Sequence, residues 1–174
     1  MNQENKNRAA FVDRDGVINK DKGYVFKIED FEIIDGVIEA LKILQDKKFN
    51  IIIITNQSGI GRGYYTEEDF LRLNDHMIDI FNKSEISIKK TYFCPHHPDE
   101  GCNCRKPNNG LIELAIEEFN LDRRESIFLG DKLSDFLASK KSNLGKFFYL
   151  GNNKITGIKK YDSMDKIIKE LDAI

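Results

Sequence analysis

Four isoleucines in a row, Ile51–Ile54, constrain this chain more than any other feature. β-Branched side chains are stiff at χ1 and crowd a helix, whereas a pleated strand accommodates them. A strand that is apolar at every position has no face for water, so it belongs inside a sheet covered on both sides. The shorter runs Ala9–Val12, Thr91–Phe93, Ile127–Leu129 and Phe147–Leu150 read the same way. Helical periodicity fills the stretches between and after them: Val37–Lys47, Glu67–Asn82, Gly110–Phe119, Ser134–Lys141 and Met164–Leu171. Thr66 followed by Asp69 predicts a side-chain cap and an acidic first turn for the second of these helices. Strand–helix alternation of this kind predicts an α/β fold, a three-layer sandwich whose mostly parallel sheet carries helices on both faces.

No repeat, linker or low-complexity tract interrupts the 174 residues, so one domain is expected over 1–174, with residues 1–8 as a flexible polar tail. That tail lacks the apolar stretch of a signal peptide, and no apolar run is long enough to cross a bilayer. A net charge of −2 with dispersed lysines and arginines gives no basic stripe for nucleic acid or a membrane surface. The expectation is a cytoplasmic monomer acting on a small molecule.

Open parallel sheets bind ligands beyond the carboxyl ends of their strands. Four polar segments sit just after predicted strands. The first, Asp13-Arg-Asp15-Gly16, places two carboxylates at i and i+2, where an extended chain points both to one side. An ionised Asp13 can attack phosphorus and split one difficult displacement into two easier ones. Asp15 can protonate the leaving oxygen and later deprotonate the attacking water. A calcium loop also opens with Asp-x-Asp, but Val17 and Ile18 stand where a ligand and a glycine are needed, and Tyr24 replaces the final glutamate.

The second segment, Thr55-Asn56-Gln57-Ser58-Gly59, turns from apolar strand to small polar residues, and Thr55 with neighbouring backbone N–H groups suits phosphoryl oxygens. Arg62, in the glycine-rich stretch that follows, is placed either to reach a substrate anion or to lie solvated at the surface.

The third segment holds all three cysteines: Cys94-x-His96-His97-x4-Cys102-x-Cys104. Three thiolates and one imidazole match a closed, four-coordinate structural Zn²⁺ site that leaves no position for a catalytic water. The residues alone leave open which of His96 and His97 is the fourth ligand; His76, alone on a helix, reads as ordinary surface or core. Arg105 and Lys106 follow directly, a guanidinium fork suited to a phosphate and an ammonium able to neutralise a transferring phosphoryl group.

The fourth segment is Gly130-Asp131-Lys132-Leu-Ser-Asp135. Asp131, Asp13 and the Asp15 carbonyl would offer oxygen ligands to Mg²⁺. Lys132 is a candidate contact to metal site or substrate, and Asp135, one helical turn on, is placed either behind the metal site or as the acidic first turn of the next helix, the plainer reading.

Together, Asp13-Arg-Asp15-Gly-Val-Ile-Asn19, Thr55-Asn-Gln-Ser-Gly, Cys104-Arg-Lys106-Pro and Gly130-Asp131-Lys-Leu-Ser-Asp135 resemble the haloacid dehalogenase superfamily of aspartate-nucleophile phosphatases. The cysteine loop narrows the resemblance to the branch of histidinol-phosphate phosphatases and D-glycero-D-manno-heptose 1,7-bisphosphate phosphatases. Asp21-Lys-Gly-Tyr24-Val, the arginine–glycine loop, Cys94-Pro-His-His-Pro and Gly130-Asp-Lys-Leu are similar to the heptose enzymes. The resemblance implies a Rossmann-like fold without a large cap domain, and a zinc-stapled loop. It implies Asp13 as nucleophile, Asp15 as acid/base, and Thr55 and Lys106 as phosphoryl stabilisers. It implies Mg²⁺ on Asp13, Asp15 and Asp131, and Zn²⁺ on Cys94, His96, Cys102 and Cys104. Substrate contacts are expected from Asp21, Lys22, Gly23 and Tyr24, from Thr55, Asn56, Gln57 and Ser58, and from Arg105 and Lys106. The implied activity is removal of the 7-phosphate of the heptose bisphosphate, with histidinol phosphate as the alternative substrate and a catalytically dead, zinc-stapled binding protein as a remote one.

Overall fold

The computed structural model describes residues 7–173. Five strands, β1 (Arg8–Val12), β2 (Phe49–Asn56), β3 (Ile88–Cys94), β4 (Ile127–Gly130) and β5 (Lys146–Tyr149), pair in the order β3-β2-β1-β4-β5, and every pairing is parallel. Residues 1–6 of the expected tail lie outside the described residues, and Arg8 corrects its inner boundary. Arg8 opens β1 opposite Phe49, its guanidinium 4.0 Å above the Phe49 ring and donating to the Lys47 carbonyl.

Alternation sorts the central strands onto two cores. Ala10, Val12, Ile51 and Ile53 face one layer, which holds α1 (Val37–Asp46), α6 (Met164–Leu171) and the C-terminal half of α3 (Glu67–Lys83). Ala9, Phe11, Ile52 and Ile54 face the other, formed by α4 (Gly110–Phe119) and α5 (Leu133–Lys141). Ile51–Ile54 are all buried, as a strand apolar on both faces requires. The capping box at Thr66 is formed in both directions: the Thr66 hydroxyl accepts from the Asp69 N–H, and the Asp69 carboxylate accepts from the Thr66 N–H. His76 is half-buried with its ring edge-on to Phe31, an ordinary packing role.

Two features differ from expectation. A one-turn helix, α2 (Ser58–Gly61), stands where the glycines read as open loop, held by Arg62 N–H to the Ser58 carbonyl and Gly61 N–H to the Pro95 carbonyl. The strand β2 runs past its isoleucines at both ends: Asn50 finds polar partners in Asn7 and the Arg8 carbonyl, and Thr55 and Asn56 pair with Phe93 and Cys94 of β3.

The strand order positions the site. From β1 the chain steps to β2 and β3 on one side, and β4 and β5 lie on the other. The crevice at such a reversal opens at the carboxyl ends of β1 and β4, just where Asp13 and Asp131 emerge.

Candidate active site and cysteine cluster

Asp13 leaves β1 with its backbone N–H bonded to the Leu129 carbonyl, and the residue is only 4% exposed. Lys106 Nζ lies 2.9 Å from Asp13 Oδ1 and 2.7 Å from Asp135 Oδ1 as ion pairs, and donates to the Ile54 carbonyl at 2.8 Å. Burial opposes the Lys106 charge, but Asp13 and Asp135 outweigh it and hold its pKa above the usual lysine value. Burial raises the pKa of Asp13; Lys106 opposes that shift and Asp135 adds to it. Asn56 fixes the Lys106 backbone, its amide accepting from the Lys106 N–H and donating to the Lys106 carbonyl, both at 3.0 Å.

Asp135 does lie in the first turn of α5, but of its two readings the structure favours the one that supports the site. It is no solvated first-turn acid: it is fully buried, binds Lys106, and accepts from the Asp131 and Lys132 backbone N–H groups. Arg14 and Tyr65 were not expected in the site. The Arg14 side chain is 1% exposed and spans both oxygens of Asp15, and the Tyr65 hydroxyl donates to Gln57. An arginine flanked by two acids at the end of a buried strand was the available signal for Arg14; nothing local marks Tyr65.

A cleft of about 460 Å³ opens over these groups. Asp13, Asp15 and Lys106 form part of its lining, together with Asp21, Gly23 and Tyr24, with Asn56, Gln57 and Ser58, and with Arg105 and Lys132, whose Nζ lies 3.3 Å from Asp21 Oδ2. Thr55 is buried below, its hydroxyl accepting from Gln57. Besides Thr55, two further candidate substrate contacts are absent from the cleft lining. Arg62 is exposed and outside the lining, in keeping with the solvated reading of the two open to it. Lys22 pairs with Glu32, 3.3 Å away across the surface.

Asp13, Asp131 and Asp135 offer carboxylate oxygens within 4.8 Å of one another. Burial, followed by repulsion from Asp13, pushes the Asp131 pKa up to about 8. Lys132 Nζ lies 3.4 Å from both the Asp15 carbonyl and Asp131 Oδ1, so a positive charge already rests against that oxygen set. A Cβ on Gly16, whose φ is +92°, would stand 2.1 Å from Asp131 Oδ2; only glycine lets the carboxylate approach. With Asp135 committed to Lys106, the donors that fit Mg²⁺ are Asp13, Asp131 and the Asp15 carbonyl, hard oxygens of net negative charge.

The cysteines form a second cluster. Cys94, His96, Cys102 and Cys104 bring three sulfurs and one ring nitrogen within 4.8 Å of one another, with Sγ–Sγ separations of 3.0–3.5 Å and His96 Nδ1 at 3.1 Å from Cys104 Sγ. His97 stays out, accepting from the Asp99 N–H through its Nδ1. Burial opposes ionisation of Cys102, yet hydrogen bonds from Cys104 and the Arg105 N–H bring its pKa down to about 7. A soft donor set at these separations is compatible with tetrahedral zinc. The cluster joins the end of β3 to Arg105 and Lys106, so a filled site would stiffen both cations.

A buried aspartate beyond a central parallel strand, a lysine salt-bridged to it and a glycine–aspartate turn from the neighbouring strand define a haloacid dehalogenase-type phosphatase. The polynucleotide kinase 3 phosphatase family model matches residues 9–167, and the chain belongs to that family. It is 49% identical to D-glycero-alpha-D-manno-heptose-1,7-bisphosphate 7-phosphatase of Campylobacter jejuni over 87% of each chain. It is 43% identical to the D-glycero-beta-D-manno-heptose-1,7-bisphosphate 7-phosphatase of Haemophilus influenzae over 76% of this chain and 75% of that one. The solved structure of D,D-heptose 1,7-bisphosphate phosphatase from B. bronchiseptica, complexed with magnesium and phosphate, shares the fold at a TM-score of 0.86. That structure is 24% identical in sequence, over 95% of this chain and 98% of the other.

Proposed function

We propose that this chain removes the 7-phosphate of D-glycero-D-manno-heptose 1,7-bisphosphate and leaves the heptose 1-phosphate. The observation that carries the phosphatase reading is Asp13, buried and salt-bridged to Lys106 in the lining of the cleft. Relatives named for the heptose reaction at 49% and 43% identity supply the substrate.

The chemistry divides among this chain's own residues. The Asp13 carboxylate attacks phosphorus, forming a P–O bond to Asp13 as the bond to the C7 oxygen breaks. Asp15 gives its proton to that leaving oxygen. A water then attacks the phosphoaspartate and passes its proton to Asp15, which frees inorganic phosphate and restores Asp13. The Lys106 charge and the Thr55 hydroxyl stabilise the phosphoryl oxygens, and Lys106 is preorganised for this by its contacts with Asp13, Asp135 and the Ile54 carbonyl. Asp13, Asp131 and the Asp15 carbonyl would hold Mg²⁺, which would neutralise the phosphoryl charge. Cys94, His96, Cys102 and Cys104 would hold Zn²⁺ in a folding role. Arg105, on the cleft wall beyond Lys106, suits the second phosphate, with Lys132 and the loop carrying Asp21 and Tyr24 around the sugar.

Residues 1–174 act as one catalytic domain, and we place the protein in the cytoplasm as a monomer. Three free cysteines in one metal-type cluster suit a reducing compartment. Among the described residues no helix is long and apolar enough to cross a membrane.

The test compares kcat/KM for both anomers of heptose 1,7-bisphosphate with histidinol phosphate in Mg²⁺. A preference for a heptose anomer, with the 1-phosphate retained in the product, is expected; a preference for histidinol phosphate would overturn the substrate assignment.

A further inference from the structure

Asp15 does not stand alone in the cleft; buried donors hold it from three sides. Arg14 Nε lies 3.2 Å from Asp15 Oδ2 and Nη2 lies 3.0 Å from Oδ1. Asn19 Nδ2 donates to Oδ1 at 3.0 Å and Gln57 Nε2 to Oδ2 at 3.0 Å. The Gln57 amide has only one workable orientation. Its oxygen faces two donors, the Tyr65 hydroxyl at 2.5 Å and Arg14 Nη2 at 3.4 Å. A flipped amide would turn its NH₂ to the guanidinium and its oxygen to the Asp15 carboxylate, wrong on both sides. So oriented, the second amide hydrogen goes to Thr55 Oγ1 at 2.8 Å, which leaves the Thr55 hydroxyl hydrogen free to point elsewhere.

Both arms of this network end on the loop that rims the cleft. Arg14 Nη2 also donates to the Val25 carbonyl at 2.6 Å, and the Phe26 ring stacks on Tyr65 with centroids 4.9 Å apart and planes 10° apart. Gly59 allows the phenol to settle there, since a Cβ would stand 2.1 Å from Tyr65 Cε1. Burial pushes the Tyr65 pKa up to about 12, so the hydroxyl remains a donor at physiological pH. Arg14 Nη1 is buried without a hydrogen-bond partner. A core site that leaves an N–H group unpaired is better explained by what it holds than by stability.

We propose that Arg14, Gln57 and Tyr65 are positioning residues that hold the Asp15 carboxyl group for proton transfer and tie its place to the Tyr24–Phe26 loop. The inference rests on the phosphatase reading, with Asp15 as acid/base, and none of the three need touch the reacting atoms. Misplacing Asp15 hurts the step in which the ester oxygen leaves and takes its proton, and hurts it most when that oxygen would otherwise depart as a sugar alkoxide. A nitrophenolate leaves with little need of a proton. General acid assistance is worth roughly 10²–10⁴-fold, so a partial loss is measurable.

The experiment measures kcat/KM, which reports the first irreversible step, for the parent enzyme, Tyr65→Phe and Arg14→Lys with Mg²⁺. The substrates are heptose 1,7-bisphosphate, histidinol phosphate and 4-nitrophenyl phosphate. The expected result is a fall about tenfold larger on the alkyl phosphates than on the aryl phosphate. Equal fractional losses on all substrates, or no loss on any, would overturn the proposal. Tyr65→Phe removes a single oxygen, so it decides the matter even if Arg14→Lys does not fold. In an Asp15→Asn background, Tyr65→Phe should leave the alkyl-to-aryl ratio where it is, and a further fall would also overturn the proposal. A parent enzyme that turns over histidinol phosphate but no heptose bisphosphate would sink the substrate assignment, yet the alkyl-to-aryl comparison would still judge this inference.

Discussion

Asp135 Oδ1 lies 2.7 Å from Lys106 Nζ, and both side chains are almost completely buried. Asp135 thereby shares the Lys106 ammonium with Asp13. Replacing Asp135 by alanine leaves the ammonium to Asp13 and the Ile54 carbonyl and strips two backbone N–H groups of their acceptor. Breaking such a pair should destabilise the fold by about 3 kcal/mol. Asp135→Asn keeps the shape but removes the charge, which tightens Lys106 onto the nucleophile, and kcat should fall on the order of 10²-fold. Urea unfolding of the alanine variant and steady-state kinetics of the asparagine variant check the two effects separately.

The cysteine cluster should bind one zinc per chain, and Cys104→Ser or prolonged chelation should lower the melting temperature. Loss of several kcal/mol of site energy corresponds to about 10 °C or more for a chain of this size. Because Arg105 and Lys106 follow Cys104 directly, KM should rise in the depleted protein that remains folded. Metal analysis beside calorimetry and kinetics tests this, and unchanged melting after complete zinc removal would argue against a structural site.

Magnesium binding should depend on pH through Asp131, whose pKa is pushed up to about 8 by burial and by repulsion from Asp13. A carboxyl group raised in the folded state stabilises the metal-free protein while it is protonated, and that contribution is lost as pH rises from near 4, its unfolded value, through about 8. Mg²⁺ binds the ionised form, so protons compete with it below that pH. The rise in melting temperature on adding Mg²⁺ should therefore be larger at pH 9 than at pH 6, and the apparent Mg²⁺ affinity should weaken as pH falls below 8. Thermal shifts with titrated Mg²⁺ at both pH values measure each.

Much of the fold was legible because its signals are local. The helices Gly110–Phe119 and Met164–Leu171 have the very bounds that periodicity predicts, and each predicted strand contains or overlaps the observed one. The α2 turn was not legible, since Ser-Gly-Ile-Gly has poor helix propensity and is held from outside, by the Pro95 carbonyl. The acids and lysine of the cleft were legible because each follows a strand. The burial of Asp135 was not, since an acid near a helix start looks the same whether it meets water or a lysine 29 positions earlier in the chain. Arg62 shows the same limit: a glycine-flanked arginine in sequence fits a substrate contact and a solvated surface residue alike, and only the fold shows it exposed outside the cleft lining.

The covalent intermediate on Asp13 is the central claim, and rapid acid quench tests it most directly. Enzyme mixed with heptose bisphosphate labelled in the 7-phosphate and quenched within the first turnover should carry label on Asp13, released by hydroxylamine as an acyl phosphate requires. Asp13→Asn should carry none and release no phosphate. Turnover by the parent enzyme with no label on the protein, or phosphate release by Asp13→Asn at the parent rate, would contradict the account.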